Sequence, residues 1–269
     1  MKKRSVFERL AAVPHLVWTL LFIIAPLLFV VYFAFTDRDG SPTLQNMLSL
    51  SSYTGTFVMS LSFSLIATAV CLVVGYPLAY IMARSKPRTQ KIFVMLLMLP
   101  MWTNLLIRTY SLMAILDNGG ILNSLLNTSF QIVGTKGAVI FGMVYDFLPY
   151  MVLPIYTCLS KIDKNMWEAA ADLGCNTPMT LVKVILPLSR SGIVSGITMV
   201  LVPSISTFYI SQKLGGGTFE LIGDTIERQF VSGALNTGAA ISLVMMVLIL
   251  ISLGIMNKFS DADEGGIVV

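Results

Sequence analysis

Asp163-Lys164-Asn165-Met166-Trp167-Glu168-Ala169-Ala170-Ala171-Asp172-Leu173-Gly174 is the stretch on which the reading of this chain turns. Asp163 carries the short side-chain acceptor that caps a helix start, and the run to Leu173 holds good helix formers. Gly174 suits the left-handed position at which helices end. Thr177-Pro178 repeats the pattern as N-cap and first-turn proline of a second short helix, and Pro187 is placed to stop it. The spacing predicts a helix–turn–helix. On both sides of it the chain runs into long apolar stretches.

Of the 269 residues, 55% are hydrophobic and 12% are charged, and the mean hydropathy is +0.80. Soluble chains carry roughly 25% charged residues. A water-soluble fold of this length could not cover its surface with so few charges, so lipid must be the solvent for much of it. Crossing the hydrocarbon core takes about 20 apolar residues. Six segments meet this: 13–36, 57–83, 92–114, 137–160, 191–211 and 237–256. Ser204, Ser206, Thr207 and Tyr209 dilute the fifth, as expected of a helix facing protein or a pathway. The basic start Met1-Lys2-Lys3-Arg4 resembles a signal peptide, but the apolar run after it is too long for a signal core and lacks a cleavage site, so it reads as an uncleaved span. The expectation is an all-α integral membrane protein of six transmembrane helices, one domain over 1–269, with the loop 161–190 between spans four and five.

Thirteen of the eighteen basic residues fall before span one, between spans two and three, between spans four and five, and after span six. The positive-inside rule places these segments, and both termini, in the cytoplasm. The net charge of +4 is therefore a record of topology. No basic face with interleaved aromatics suggests nucleic acid as a partner. Pro14, Pro26, Pro77, Pro100, Pro149, Pro154 and Pro203 punctuate the spans, and each removes a backbone donor and favours a kink.

Catalytic patterns are missing. There is no G-x-x-x-x-G-K-[ST] phosphate loop, so ATP hydrolysis by this chain is not expected. Gly215-Gly216-Gly217 follows no strand and reads as a flexible turn. His15 has no partner nearby in sequence, and Cys71, Cys158 and Cys175 are too scattered for a metal site or a disulfide framework. Neither a metal nor another cofactor is expected on this chain.

The loop also resembles a signature of ABC-importer permeases: Glu-Ala-Ala, three residues, Gly, nine residues, Ile, one residue, Leu-Pro. Glu168, Ala169, Ala170, Gly174, Leu186 and Pro187 match at that spacing, with Val184 in place of Ile. The resemblance implies the type I importer (MetI-like) fold, with this loop as the coupling helix that docks on a cytoplasmic ATPase subunit. It further implies a non-catalytic subunit in a bacterial inner membrane, with ATP-Mg bound on the ATPase partners. A second permease, two ATPase subunits and an extracytoplasmic substrate-binding protein would complete the complex.

Three more stretches extend the likeness to spermidine/putrescine permeases of the first type: 102–110, 148–156 and 208–211 with the glycines after it. The family implies polyamine cargo. Its relatives carry phosphonate, iron, sulfate or molybdate, so another small solute is the alternative. One departure stands out: Gln212-Lys213 occupies a place where polyamine permeases often have an acidic residue. Trp102, Asn104, Arg108, Tyr145, Asp146, Phe208 and Tyr209 are the candidate path residues. Asp146, deep in span four, either offers charge beside Tyr145 and Tyr209 to a passing ammonium group or forms a structural pair with Arg108. A stand-alone secondary transporter would need coupling-ion carboxylates within its spans, and only Asp146 qualifies.

Overall fold

The computed structural model describes residues 6–163, 166, 172 and 174–264. Among them there is no strand, only an isolated bridge between Thr36 and Pro42. The principal helices are α1 (Val6–Thr19), α2 (Ala25–Ala34), α3 (Thr54–Arg84), α4 (Pro87–Trp102), α5 (Leu105–Leu116), α6 (Ile121–Leu126), α7 (Lys136–Leu159), α8 (Arg190–Ser206), α9 (Tyr209–Leu214), α10 (Ile222–Val231) and α11 (Leu235–Glu264).

Four helices are long and apolar enough to cross a membrane alone: Val13–Ala34, Gln45–Arg84, Lys136–Leu159 and Leu235–Lys258. Two bent pairs raise the number to six if each is one span: Pro87–Trp102 with Leu105–Leu126, bent by 95°, and Leu181–Leu188 with Arg190–Ser206, bent by 64°. The third expected span is therefore not one straight helix. The fifth, expected over 191–211, ends at Ser206 and resumes as the separate helix α9. Pro203 explains the early end: without an N–H it cannot hold the last turns of α8 to the turn before.

Two other prolines widen the backbone. The turn Leu20–Ile24 is a π-helix in which Ala25 N–H reaches back to Leu20 O, one residue before Pro26. Leu181–Ile185 does the same, with Leu186 N–H bonded to Leu181 O just before Pro187. In each case the proline ring would crowd the carbonyl four residues back, and a wider turn gives it room. After Pro187 the chain breaks at Ser189. The second short helix of the loop starts one residue earlier than expected: Asn176 Oδ1, not Thr177, accepts the Met179 N–H at 3.0 Å.

The chain forms two compact units. One comprises residues 1–54 and 225–248. Its first span ends at Ala34, and two amide side chains satisfy the carbonyls that every helix leaves open at its C-terminus. Asn46 Nδ2 donates to Ala34 O and Thr36 O, and Asn236 Nδ2 donates to Phe33 O and, at 2.6 Å, to Thr36 O. Ala34, Ala239 and Ala240 are buried there, small enough for helices to approach closely.

The second unit, residues 55–224 and 249–269, holds the main core, from Phe63, Ala67 and Cys71 through Met143, Met151 and Ile155 to Val200 and Ile210. Glycine allows a close helix contact within it. A Cβ on Gly192 would stand 2.6 Å from Cys158 Cβ and 3.1 Å from Pro154 O. One on Gly196 would stand 2.8 Å from Met151 Sδ and 3.0 Å from Met151 O. Small residues four apart are how helices pack in lipid, where no hydrophobic force drives them together. Here they seat α8 on α7.

Candidate functional site: a polar seam at two helix breaks

The α4–α5 break is built by Pro100 and Asn104. Pro100 O accepts from Thr103 N–H at 3.2 Å, from Thr103 Oγ1 at 2.7 Å and from Arg108 Nη1 at 3.0 Å. Asn104 then caps α5, its Oδ1 accepting the Leu106 N–H at 2.8 Å. Non-helical backbone of this kind is tolerated at membrane depth only where protein or water covers it. The break turns Arg108, one turn into α5, toward α7.

There Arg108 Nε lies 2.9 Å from Asp146 Oδ1. The N–H is not aligned on that oxygen, so the contact is an ion pair without a hydrogen bond, and neither carboxylate oxygen receives a donor from the described residues. Asp146 is 1% exposed and Arg108 10%. A carboxylate buried this deeply depends chiefly on that cation to offset its lost hydration.

The other predicted path residues are spread out. Trp102, 74% exposed, closes α4, and Tyr145, 41% exposed, faces away from its buried neighbour Asp146. Asn104 is spent on its cap, and Phe208 opens the α8–α9 break. Tyr209 meets a partner that the candidate set lacks, Tyr110 of α5: the rings stand edge to face with centroids 5.9 Å apart. Lys213 joins them, its Nζ 5.0 Å from the Tyr110 centroid and 5.7 Å from that of Tyr209. α9 packs on both α5 and α7, which brings these groups from three elements into one region.

Asp224 is also buried and was not singled out from sequence. Its Oδ2 accepts the Leu221 N–H at 2.7 Å and its Oδ1 accepts from Ser211 Oγ at 2.9 Å. The Ile222 N–H goes to Ser60 Oγ at 2.7 Å. Asp224 is the third residue of α10 reaching back to the residue before the helix, half of a capping box, and it ties α9 to α10. An acid two residues into a helix start was a signal that could have found it. The glycines at 215–217 form a defined turn, with φ of +57° at Gly216 and +73° at Gly217, against which Thr218 Oγ1 donates to Gly134 O at 3.0 Å.

Of the loop residues, Glu168, Ala169 and Ala170 lie outside the described residues. Gly174 has the left-handed φ of +80°. Leu186 and Pro187 are exposed beside the break at Ser189, and Ser189 Oγ lies 2.9 Å from Tyr76 Oη of α3. An open cleft of about 690 Å³ lies between α4, α7 and α8, lined by Met101, Tyr150, Pro154, Thr157, Ser195 and Met199; none of these was a predicted path residue.

Apolar helices with two bent pairs, and polar groups meeting at the breaks, describe a helical membrane chain, and comparison with known proteins gives its family. Residues 75–262 match the model of the binding-protein-dependent transport system inner membrane component, and the chain belongs to that family of ABC-transporter permeases. It is 37% identical to the spermidine/putrescine transport system permease protein PotB of Haemophilus influenzae over 257 residues, 90% of each chain. With the protein of that name from Salmonella typhimurium it shares 36% over 98% of its own length and all of the relative's. Its fold matches a solved bacterial ABC transporter chain involved in import of the acidic polysaccharide alginate, with a TM-score of 0.75, 16% identity and coverage of 95% and 96%.

Proposed function

We propose that this chain is one permease of an ATP-driven polyamine importer in a bacterial inner membrane, with both termini in the cytoplasm. The observation that carries the cargo is the 36–37% identity, over nine-tenths of the chain or more, to permeases named for spermidine and putrescine. The chain forms part of the path and is not itself an ATPase; ATP-Mg is hydrolysed on two partner subunits. A second permease completes the pore. An extracytoplasmic binding protein delivers the substrate, a reading supported by the alginate transporter that was solved with its periplasmic protein.

Force reaches the spans through the loop 161–190. Glu168 to Gly174 contact the ATPase, where Ala169 and Ala170 allow close approach and Glu168 offers charge. The left-handed turn at Gly174 and the 64° bend after Leu188 support this reading, since they give the loop a fixed angle to α8. The test is reconstitution of the whole complex in proteoliposomes, with ATPase activity and uptake measured for putrescine and spermidine. Stimulation by either is expected. No response to any polyamine, with a response to another small solute, would reassign the cargo.

A further inference from the structure

Lys213 has no carboxylate partner among the described residues. Its ammonium instead rests against two tyrosine faces, 5.0 and 5.7 Å from their centroids. An ammonium group is drawn to the negative face of an aromatic ring, the same attraction by which aromatic cages hold quaternary ammonium ligands. The slot is open, since Tyr110 is 47% exposed. It lies on α5 and α9, each of which begins at a backbone break, and breaks of that kind are tolerated at membrane depth only beside protein or water.

We propose that the Tyr110–Tyr209 pair is a subsite for the primary ammonium of the transported amine, and that Lys213 is a tethered competitor that leaves the slot as the amine enters. This rests on the polyamine reading above. The lysine side chain ends in the same primary alkylammonium as a polyamine, so a slot that accepts one accepts the other. Two cations in one slot repel, so occupancy is exclusive. A resident competitor keeps the hold on substrate weak, and conduction requires a site that binds well enough to enter and weakly enough to leave.

The test uses the reconstituted complex, with putrescine uptake as the readout and co-purification of all subunits as the check on assembly. Lys213→Gln removes the competitor and should lower KM by about three- to fivefold, the scale of one exposed cation–π contact. The double variant Tyr110→Leu/Tyr209→Leu should raise KM by roughly tenfold while kcat moves less, as expected when binding energy is removed equally from the bound and transition states. Tyr110→Phe, which keeps the ring face, should fall nearer to wild type than Tyr110→Leu, and this single exposed substitution keeps the question answerable if the double variant fails to assemble. Putrescine uptake in which none of these KM values moves by more than about twofold would overturn the subsite and leave the polyamine reading standing. A wild-type complex that carries no polyamine would overturn both.

Discussion

Asp146 and Arg108 show how much one contact decides. The carboxylate has a cation at 2.9 Å and neither of its oxygens is matched by a well-aligned donor, so its burial depends chiefly on that cation. Arg108→Met should therefore destabilise the permease by about 3–5 kcal/mol, the cost of leaving a buried charge unpaired. Arg108→Met combined with Asp146→Leu should recover most of that loss, because an apolar pair of similar volume has no charge to desolvate. Thermal unfolding of the purified complex measures both. Asp146→Asn separates the two roles left open by the sequence: unchanged putrescine uptake with normal assembly ends its part in the path. The sequence marked both residues, since charges within apolar runs are conspicuous. It could not choose between the roles, because whether an arginine on one span reaches an aspartate on another depends on the bend at Asn104.

Elements here are controlled by what interrupts them. Gly192 and Gly196 let α8 lie on the α7 backbone, and the atoms a new Cβ would meet include Pro154 O and Met151 O, which cannot swing aside. Gly196→Val should destabilise the unit by at least about 1–3 kcal/mol through overpacking, seen as a lower melting temperature and less assembled complex. At Gly174 the constraint is conformational: a Cβ there would have no atom within 4 Å, yet φ is +80°. Gly174→Val should thus cost about 1–2 kcal/mol of left-handed strain and act locally, reducing ATP-coupled uptake while the spans assemble normally. Uptake per ATP hydrolysed, compared with wild type, is the measurement. Helix positions were legible from apolar length, and the proline breaks could be guessed at. The end of α8 was not, because Ser204, Ser206 and Thr207 dilute the span without marking where it stops, and only the extended Thr207 backbone shows the break.

For the whole molecule, the charge asymmetry between loops makes a prediction that no side-chain contact enters. A reporter fused after Lys258 should read as cytoplasmic, and one inserted at Gly217 as extracytoplasmic, since basic loops are retained on the inner side. Opposite readings would invert the topology and remove the 161–190 loop from any cytoplasmic ATPase. Association belongs to this scale too. Many apolar side chains of the single chain are exposed, including Phe22, Phe29, Val73, Leu96 and Ile251, which suits lipid as solvent.

The sequence by itself determined the class of this protein. Length and polarity of each segment fix which can lie in lipid, and the spacing from Glu168 to Pro187 is a local property that survives any folding of the rest. Only tertiary structure decided which polar groups meet. The pairing of Arg108 with Asp146 and the meeting of Lys213 with the distant Tyr110 both depend on angles at backbone breaks. Such angles are set by packing between helices, which no single segment encodes.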